Sequence, residues 1–144
     1  MLRDSSLASR WRSWAPYLLS LLRIVVAFLF MQFGTAKLFG LPAPIMPGGG
    51  TAPVGSLAGI AGVLETFGGL FILVGLFTRP VAFLLSGEMA VAYFYGHATQ
   101  GFWPVLNQGS PAILFCFSFL YLSAAGAGPW SLDAGRSPHQ SVGR

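Results

Sequence analysis

The chain has 144 residues, of which 54% are hydrophobic and 8% are charged. Soluble domains carry about 25% charged residues, so this composition excludes an ordinary soluble protein and indicates a membrane protein in a lipid bilayer. The formal net charge is +4, but the basic residues are scattered and form no basic face, which argues against nucleic acid as a partner. In a membrane protein such charges are better explained as an orientation signal.

The first apolar segment follows three arginines, Arg3, Arg10 and Arg12. A signal peptide begins in the same way, but this apolar run is long, lacks an A-x-A-like cleavage site and precedes further apolar runs. We therefore expect residues 1–16 to form a cytoplasmic segment and residues 17–39 to form an uncleaved first span.

Three more apolar segments follow, over residues 57–77, 80–97 and 111–125. About 20 apolar residues cross a bilayer as a helix, and the bilayer leaves no alternative to a helix for such a segment. The expected fold is therefore all-α, a four-helix transmembrane bundle over residues 17–126. Residues 127–144 are expected to form a short, mobile cytoplasmic tail.

Local signals mark the ends of these spans. Ser56 is the predicted N-cap of the second span. The turn between spans two and three is predicted at residues 78–80, and Pro80 is acceptable in the first turn of a helix. Ser110 is the predicted N-cap of the fourth span, followed by Pro111 at the first helical position.

The basic residues also predict the orientation of the chain. An even number of spans places both termini on one side of the membrane, together with the turn between spans two and three. That side collects Arg3, Arg10, Arg12, Arg79, Arg136 and Arg144, whereas the other side has Lys37 near a span end. Because cytoplasmic loops are enriched in Lys and Arg, the termini are expected in the cytoplasm.

Four ionisable residues lie inside or at the edge of the spans: Arg23, Lys37, Glu65 and Glu88. A charge at the centre of a bilayer costs about 2.5–3.5 kcal/mol, so each of these side chains needs a partner or a function. At about 1.5 Å of rise per residue, Arg23 and Glu88 lie at similar depth, and the long stem of Lys37 reaches toward Glu65. We therefore predict two ion pairs, Arg23–Glu88 and Lys37–Glu65.

Small residues accompany these charges. Gly34 lies on the helix face that carries Arg23 and Lys37, and Gly62 and Gly69 flank Glu65 at one helical turn. Small residues allow helices in membranes to approach closely. The pattern predicts that the four charges face one interior.

Two interpretations of this polar network stay open from the residues alone. The ion pairs fix the register of the helices without chemistry, or they line a pocket that opens outward and binds an anion, a quinone headgroup or protons. The expected outer rim of such a pocket consists of His97, Gln100, Asn107 and Gln108. No catalytic residue is assigned, Cys116 is expected to be inert, and the spacing of His, Cys and acidic residues predicts no metal site.

Five segments of the sequence carry a family resemblance: LRIVVAFLFMQFGTAKLFG, LAGIAGVLETFGGLFILVGLFTRPVAF, GEMAVAYFYGH, GFWPVLNQG and FLYLSAAGAGPWSLD. They are collinear over residues 18–133, and the pattern E-x-x-G-G-L-x-x-x-x-G-L-x-T-R at residues 65–79 is the most specific part. In these segments the chain resembles the DoxX family of small bacterial four-helix membrane proteins.

The resemblance implies a multi-pass protein of the cytoplasmic (inner) membrane. Some members of the family are subunits of a thiosulfate:quinone oxidoreductase, and others form membrane complexes with redox or sulfur-handling enzymes. The recurrent polar positions of the family correspond to Arg23, Lys37, Glu65, Arg79 and Glu88. One departure is Ser110-Pro111, where members often have an acidic residue, so a role that needs an acid there does not transfer.

Three functions from different classes are expected in this order. The first is a membrane subunit of a redox complex, which anchors a peripheral redox enzyme and contacts quinone. The second is a small transporter or proton-conducting protein, and the third is a structural or assembly scaffold. Besides a peripheral redox enzyme, a second copy of the chain, in a homo-oligomer, is a candidate partner. The sequence shows no cofactor motif, which favours partnership with an enzyme over independent catalysis.

Overall fold

The computed structural model describes the backbone of residues 4–136 and the side chains of residues 7–136. Arg3 and Arg144, which contribute to the orientation argument, lie outside this range. The described chain is all-helical and contains no strand. We number its helices α1 (Asp4–Phe39), α2 (Leu57–Val74), α3 (residues 78–97), α4 (Ser110–Ala125) and α5 (Leu132–Arg136).

Two of these helices are long and apolar enough to cross a membrane on their own. They are α1, with an apolar stretch at Leu7–Phe39, and α2. Helix α1 continues without interruption through Pro16, so Arg10 and Arg12 share one helix with the first apolar segment. Helix α4 is apolar but has only 16 residues.

Helices α2 and α3 each contain one π-helical turn. In α2 the turn covers Leu64–Gly68, between α-helical stretches at Leu57–Val63 and Gly69–Val74. In α3 it covers Tyr93–His97, after the α-helical stretch Thr78–Ala92. Such single π turns appear frequently at functional sites.

Helix α2 begins as predicted but ends earlier than the sequence suggested. The Ser56 hydroxyl accepts a hydrogen bond from the N–H of Gly59 at 3.1 Å and caps the helix. At the other end Gly75, with φ of 69°, terminates α2, and the N–H of Leu76 binds the carbonyl of Phe71. The prediction of a turn at residues 78–80 is therefore wrong: a glycine in the left-handed region turns the chain at residues 75–77.

The start of α4 also differs from its prediction by one residue. The N-cap is Gly109, so Ser110 is already helical and Pro111 follows it in the first turn. The Asn107 side chain accepts a hydrogen bond from the N–H of Gly109 at 2.8 Å. No N-cap side chain therefore binds the first turn of α4, and the Asn107 amide instead holds the backbone of Gly109 just before it.

One hydrophobic core receives side chains from all four longer helices. Its fully buried members include Ala27 and Phe30 of α1, Ile72 of α2, Leu85 of α3 and Phe119 of α4. The closest pairings are α1 with α2 and α3 with α4.

The outer surfaces of the same helices are apolar. Large exposed side chains include Phe28 of α1, Phe67 of α2, Phe83 of α3 and Phe117 of α4, each more than half exposed. A protein surrounded by water rarely exposes so much contiguous apolar surface, whereas a helix in lipid does.

The segment after α4 is packed against the helices, at least as far as residue 136. The N–H of Trp130 donates to the Ser20 hydroxyl of α1 at 3.2 Å. A Cβ at Gly128, where φ is 74°, would lie 2.3 Å from the Ser20 oxygen. The expectation of a mobile tail is thus wrong for this stretch, because it is bound to α1 and α2; residues 137–144 lie outside the described range.

Candidate functional site

The candidate site is centred on an ion pair between α1 and α2. The Lys37 Nζ atom lies 2.5 Å from Glu65 Oε1, as the sequence predicted. The Glu65 side chain is 3% exposed and that of Lys37 is 20% exposed, so the acid is enclosed and the base reaches a cavity. The second carboxylate oxygen, Glu65 Oε2, is buried and has no hydrogen-bond partner among the described residues.

Close contact between α1 and α2 brings this pair together. A Cβ at Gly34 would lie 2.4 Å from Thr66 Oγ1 and 2.8 Å from the carbonyl oxygen of Gly62. A Cβ at Gly62 would in turn lie 3.1 Å from Lys37 Cβ. The predicted role of these glycines is confirmed: the missing side chains let the backbones approach beside the charged pair.

The π turn of α2 contains the acid of the pair. Glu65 is the second residue of the turn at Leu64–Gly68. A π turn widens the helix locally and changes the direction in which its side chains project. The sequence gives no signal for it, so its coincidence with the charged pair is visible only in the structure.

A cavity of about 430 Å³ adjoins the ion pair. Phe30 and Phe33 of α1 and Phe115 of α4 form an aromatic wall, with ring centroids of Phe30 and Phe115 5.1 Å apart. The remaining lining residues come from the four long helices and from the loops after α1 and before α4, and they are Lys37, Ile45, Glu65, Met89, Ala92, His97, Gln108, Pro111 and Ala112. Small-molecule sites are commonly apolar cavities of this size with a few polar groups.

Two of the predicted rim residues line the cavity. His97 Nδ1 lies 2.9 Å from the carbonyl oxygen of Asn107, which accepts only, so Nδ1 carries the hydrogen. Nε2 of a neutral His97 is then an acceptor. Gln108, with φ of 59°, also lines the cavity and has a backbone conformation that is uncommon outside glycine.

The other two predicted rim residues have local structural roles. Asn107 is buried, and its amide donates to the carbonyl of Gly101 at 2.7 Å. The exposed Gln100 amide donates to the carbonyl of Gly96 at 2.6 Å. Neither side chain is among the residues that line the cavity.

Glu88 does not line this cavity either. It borders a separate, apolar groove between α2 and α3, together with Leu64, Tyr95 and other residues. Both carboxylate oxygens of Glu88 are buried and have no hydrogen-bond partner among the described residues.

The predicted Arg23–Glu88 ion pair is absent, because Arg23 is bound to backbone carbonyls. Its Nη1 atom lies 2.5 Å from the carbonyl oxygens of Ile72 and Leu73 at the end of α2. Its Nε atom donates to the carbonyl of Ala127 at 2.8 Å, and its Nη2 atom donates to that of Trp130. Arg23 needs no carboxylate at its depth, because the terminal carbonyls of a helix attract a cation as a carboxylate does.

Two further residues hold the same end of the molecule. The Arg79 guanidinium donates to the carbonyl of Ala124 at 2.5 Å and thereby caps the C-terminus of α4. The Asp133 carboxylate accepts hydrogen bonds from the N–H groups of Phe77 and Thr78 at 2.9 and 2.8 Å, at the start of α3. Sequence reasoning gave Asp133 no role, although the G-P-W-S-L-D pattern at residues 128–133 marks the segment that carries it.

Apolar surfaces on the long helices and an ion pair enclosed between two of them define an integral membrane protein of the all-helical class. The chain belongs to the DoxX family, whose model matches residues 18–98. This assignment confirms the resemblance seen in the sequence.

Two relatives extend over most of the chain. An uncharacterized protein of Haemophilus influenzae is 48% identical over 122 residues, which cover 82% of this chain and 90% of the relative. The inner membrane protein YphA of Escherichia coli is 33% identical over 126 residues, which cover 82% of this chain and 89% of the relative. No solved structure matches the chain.

Proposed function

We propose that this chain crosses the inner membrane four times, with both termini in the cytoplasm. Helices α1 and α2 are long enough, and the 20 residues of α3 extend over about 30 Å. The 16 residues of α4 extend over about 24 Å, which a locally thinned bilayer accommodates. The name of the Escherichia coli relative supports the choice of membrane.

The orientation rests on the charges at the two ends of the molecule. The segment after α4 packs on Ser20 of α1, so Trp130 lies near the half of α1 that carries Arg10 and Arg12. Arg79 and Arg136 lie at this end as well. The positive-inside rule then assigns this end to the cytoplasm and the Lys37–Glu65 cavity to the outer half of the membrane.

We further propose that the cavity binds a quinone headgroup. The main support is the Lys37–Glu65 ion pair beside the aromatic wall of the cavity. A quinone is a flat ring with a carbonyl oxygen on either side, which fits an aromatic wall with polar groups at its edge. The Lys37 ammonium can donate to one oxygen, and His97 Nε2 can accept the O–H of the reduced form.

In this proposal the chain is a membrane subunit of a redox complex. Its own residues bind and orient the headgroup and supply a charged environment, whereas a peripheral redox enzyme supplies the electron carrier. A transporter or proton-conducting function is the alternative, which the unpaired oxygens of Glu65 and Glu88 favour. A scaffold function is the third class, and it is an outcome of the test below.

The test is purification of the tagged protein in a mild detergent, followed by solvent extraction of quinone and identification of co-purifying proteins. Lys37→Met removes the charged donor, and a hydrogen bond to a charged group contributes about 1.5–3 kcal/mol. We therefore expect the quinone content of Lys37→Met to fall about tenfold or more. Glu65→Gln should also lower it, because Lys37 loses the partner that holds it in place.

Glu88→Gln is the matched control, since it changes an acid outside the cavity and should retain quinone. Equal quinone in the wild type and Lys37→Met would contradict the headgroup site. The scaffold function would be favoured by two results together. The purified wild type contains neither quinone nor a redox enzyme, and Glu65→Gln matches the wild type in abundance and phenotype. The mass of the purified particle also reports whether copies of the chain associate.

A further inference from the structure

Glu65 and Glu88 lie at the same level on two neighbouring helices. A Cβ at Gly68 of α2 would lie 2.8 Å from the Leu85 side chain of α3, so these residues face each other. Because α2 and α3 are antiparallel, Glu65, three residues before Gly68, and Glu88, three residues after Leu85, lie at about the same height along the two helices. The two acids thus flank one point of the α2–α3 interface.

Adjacent residues confirm this position. Leu64 and Glu88 border the apolar groove on one side of the interface, whereas Glu65 and Met89 border the polar cavity on the other. Ala92, one turn after Glu88, contributes to both. The carboxyl groups therefore lie in the thin wall between the cavity and the groove.

Three oxygens in this wall have no donor among the described residues. They are Glu65 Oε2 and both oxygens of Glu88, and all three are buried. The single ammonium nearby, Lys37 Nζ, already binds Glu65 Oε1. Two carboxylates against one ammonium would leave an uncompensated negative charge in apolar surroundings, which is costly.

We propose that Glu65 and Glu88 together bind one proton, taken from water. The Glu88 carboxyl group is neutral, while Glu65 remains ionised and paired with Lys37. The cluster of Lys37, Glu65 and Glu88 then has zero net charge. Carboxyl groups that cannot both ionise share a proton in this way.

No other charged group at this level competes for the role. Lys37 of α1 and Glu65 of α2 are the groups that act electrostatically on Glu88. Helix α4 contributes Cys116, which contacts Ser86, and α3 itself contributes Tyr93, Tyr95 and His97. Arg23 is bound to carbonyls at the other end of the molecule. The proton site includes the Lys37–Glu65 pair of the quinone cavity, but it does not require that quinone binds there.

Infrared spectroscopy tests the proposal directly, because the chain has four acidic side chains, Asp4, Glu65, Glu88 and Asp133. The protein is purified in dodecyl maltoside, which has no carbonyl group, and measured at about pH 7, where an ordinary carboxyl group is ionised. We expect the wild type to show the C=O band of one protonated carboxyl group, shifted in D₂O. The band should be absent from Glu88→Gln.

Two further variants separate a shared proton from an isolated buried acid. In Glu65→Gln the Lys37 ammonium needs a new counter-ion, so Glu88 should ionise and the band should disappear. In the double variant Lys37→Met/Glu65→Gln no cation remains, and the band should return. Asp133→Asn is the control and should keep the band.

A band that persists in Glu88→Gln, or that is missing from the wild type, would overturn the proposal. A band that persists in Glu65→Gln alone would show that Glu88 is protonated independently of the ion pair, which also contradicts a shared proton. The double variant is expected to fold even if Glu65→Gln does not, because it leaves no stranded charge.

Discussion

Single basic residues in this molecule use their charge in two different ways. The Arg23 guanidinium is planar, offers five N–H donors and binds four backbone carbonyls from α2 and the segment after α4. The Lys37 ammonium is a compact charge that binds one carboxylate oxygen. Arg23 therefore joins separate parts of the chain, whereas Lys37 leaves donors for a ligand.

Double-mutant cycles should distinguish these two roles. For Lys37→Met and Glu65→Gln we expect the double variant to lose less stability than the sum of the singles, with a coupling of about 1–3 kcal/mol. For Arg23→Met and Glu88→Gln we expect additivity within about 0.5 kcal/mol, because the two residues are not partners. Thermal unfolding of the purified variants measures both cycles, and strong coupling between Arg23 and Glu88 would contradict the carbonyl contacts.

Asp133 lies outside the membrane-spanning helices, and we expect its contribution to the stability of the fold to depend on pH. Partial burial raises its pKa, but the N–H donors of Thr78 and Phe77 and the nearby Arg136 outweigh this and hold the pKa below its ordinary value of 3.8. A carboxyl group with a lowered pKa stabilises the folded state above that ordinary value and stops doing so as the pH falls through its folded-state pKa.

We therefore expect Asp133→Ala to be destabilised by about 1 kcal/mol at neutral pH, as for other lost N-caps. The difference in unfolding temperature from the wild type should stay constant from about pH 7 to pH 5 and shrink below about pH 4. Asp133→Asn keeps one acceptor, so its unfolding temperature should lie between those of the wild type and Asp133→Ala. A difference that grows on acidification would contradict this role.

The residue-scale contacts were only partly predictable from the sequence. Lys37 and Glu65 carry opposite charges on helices with small residues beside them, so their pairing could be inferred. The partners of Arg23 are backbone carbonyls, which every residue has, and no side-chain pattern identifies them. Asp133 caps the start of α3 at Phe77 and Thr78, which precede it by 56 and 55 positions in the chain. No local motif describes a contact between residues so far apart.

At the scale of helices, the α1–α2 contact determines the geometry of the ion pair. Gly34→Ala places a methyl group within 2.5 Å of the Thr66 backbone nitrogen, a distance that real side chains do not tolerate. The helices must separate, which should lower the unfolding temperature and weaken the Lys37–Glu65 pair.

Gly87→Ala is the matched control for this substitution. Gly87 lies inside α3, and a Cβ there has no atom within 4 Å. Because alanine favours helix more than glycine does, we expect Gly87→Ala to be neutral or slightly stabilising. Equal destabilisation by Gly34→Ala and Gly87→Ala would mean that close α1–α2 contact is unimportant.

The positions of the main helices could be predicted from the sequence, because the composition and length of each apolar run determine whether it forms a helix. Apolar runs and Ser56 placed the main segments, because lipid and backbone hydrogen bonding leave few alternatives to a helix. The turn after α2 was misplaced because Thr78 and Pro80 suggested a boundary that Gly75 in fact determines. The π turns were missed because their i→i+5 hydrogen bonds depend on tertiary packing, which has no local sequence signal.

At the scale of the whole molecule, the two ends differ in charge and structure. One end carries exposed arginines and is held together by contacts of Arg23, Arg79 and Asp133. The other end contains the cavity beside Lys37 and Glu65. We propose that this cavity opens to the outer side of the membrane and holds a quinone headgroup.

Labelling of one introduced cysteine tests that claim most directly. In a Cys116→Ala background, Ile45→Cys places a thiol on the loop that lines the cavity, and Gly135→Cys places one at the opposite end, where a side chain has open space. Intact spheroplasts are treated with a membrane-impermeant maleimide, with and without a short-chain quinone. We predict that Ile45→Cys is labelled from outside and protected by quinone, while Gly135→Cys reacts only after the membrane is opened. Labelling of Gly135→Cys in intact spheroplasts, or labelling of Ile45→Cys that quinone does not slow, would contradict the account.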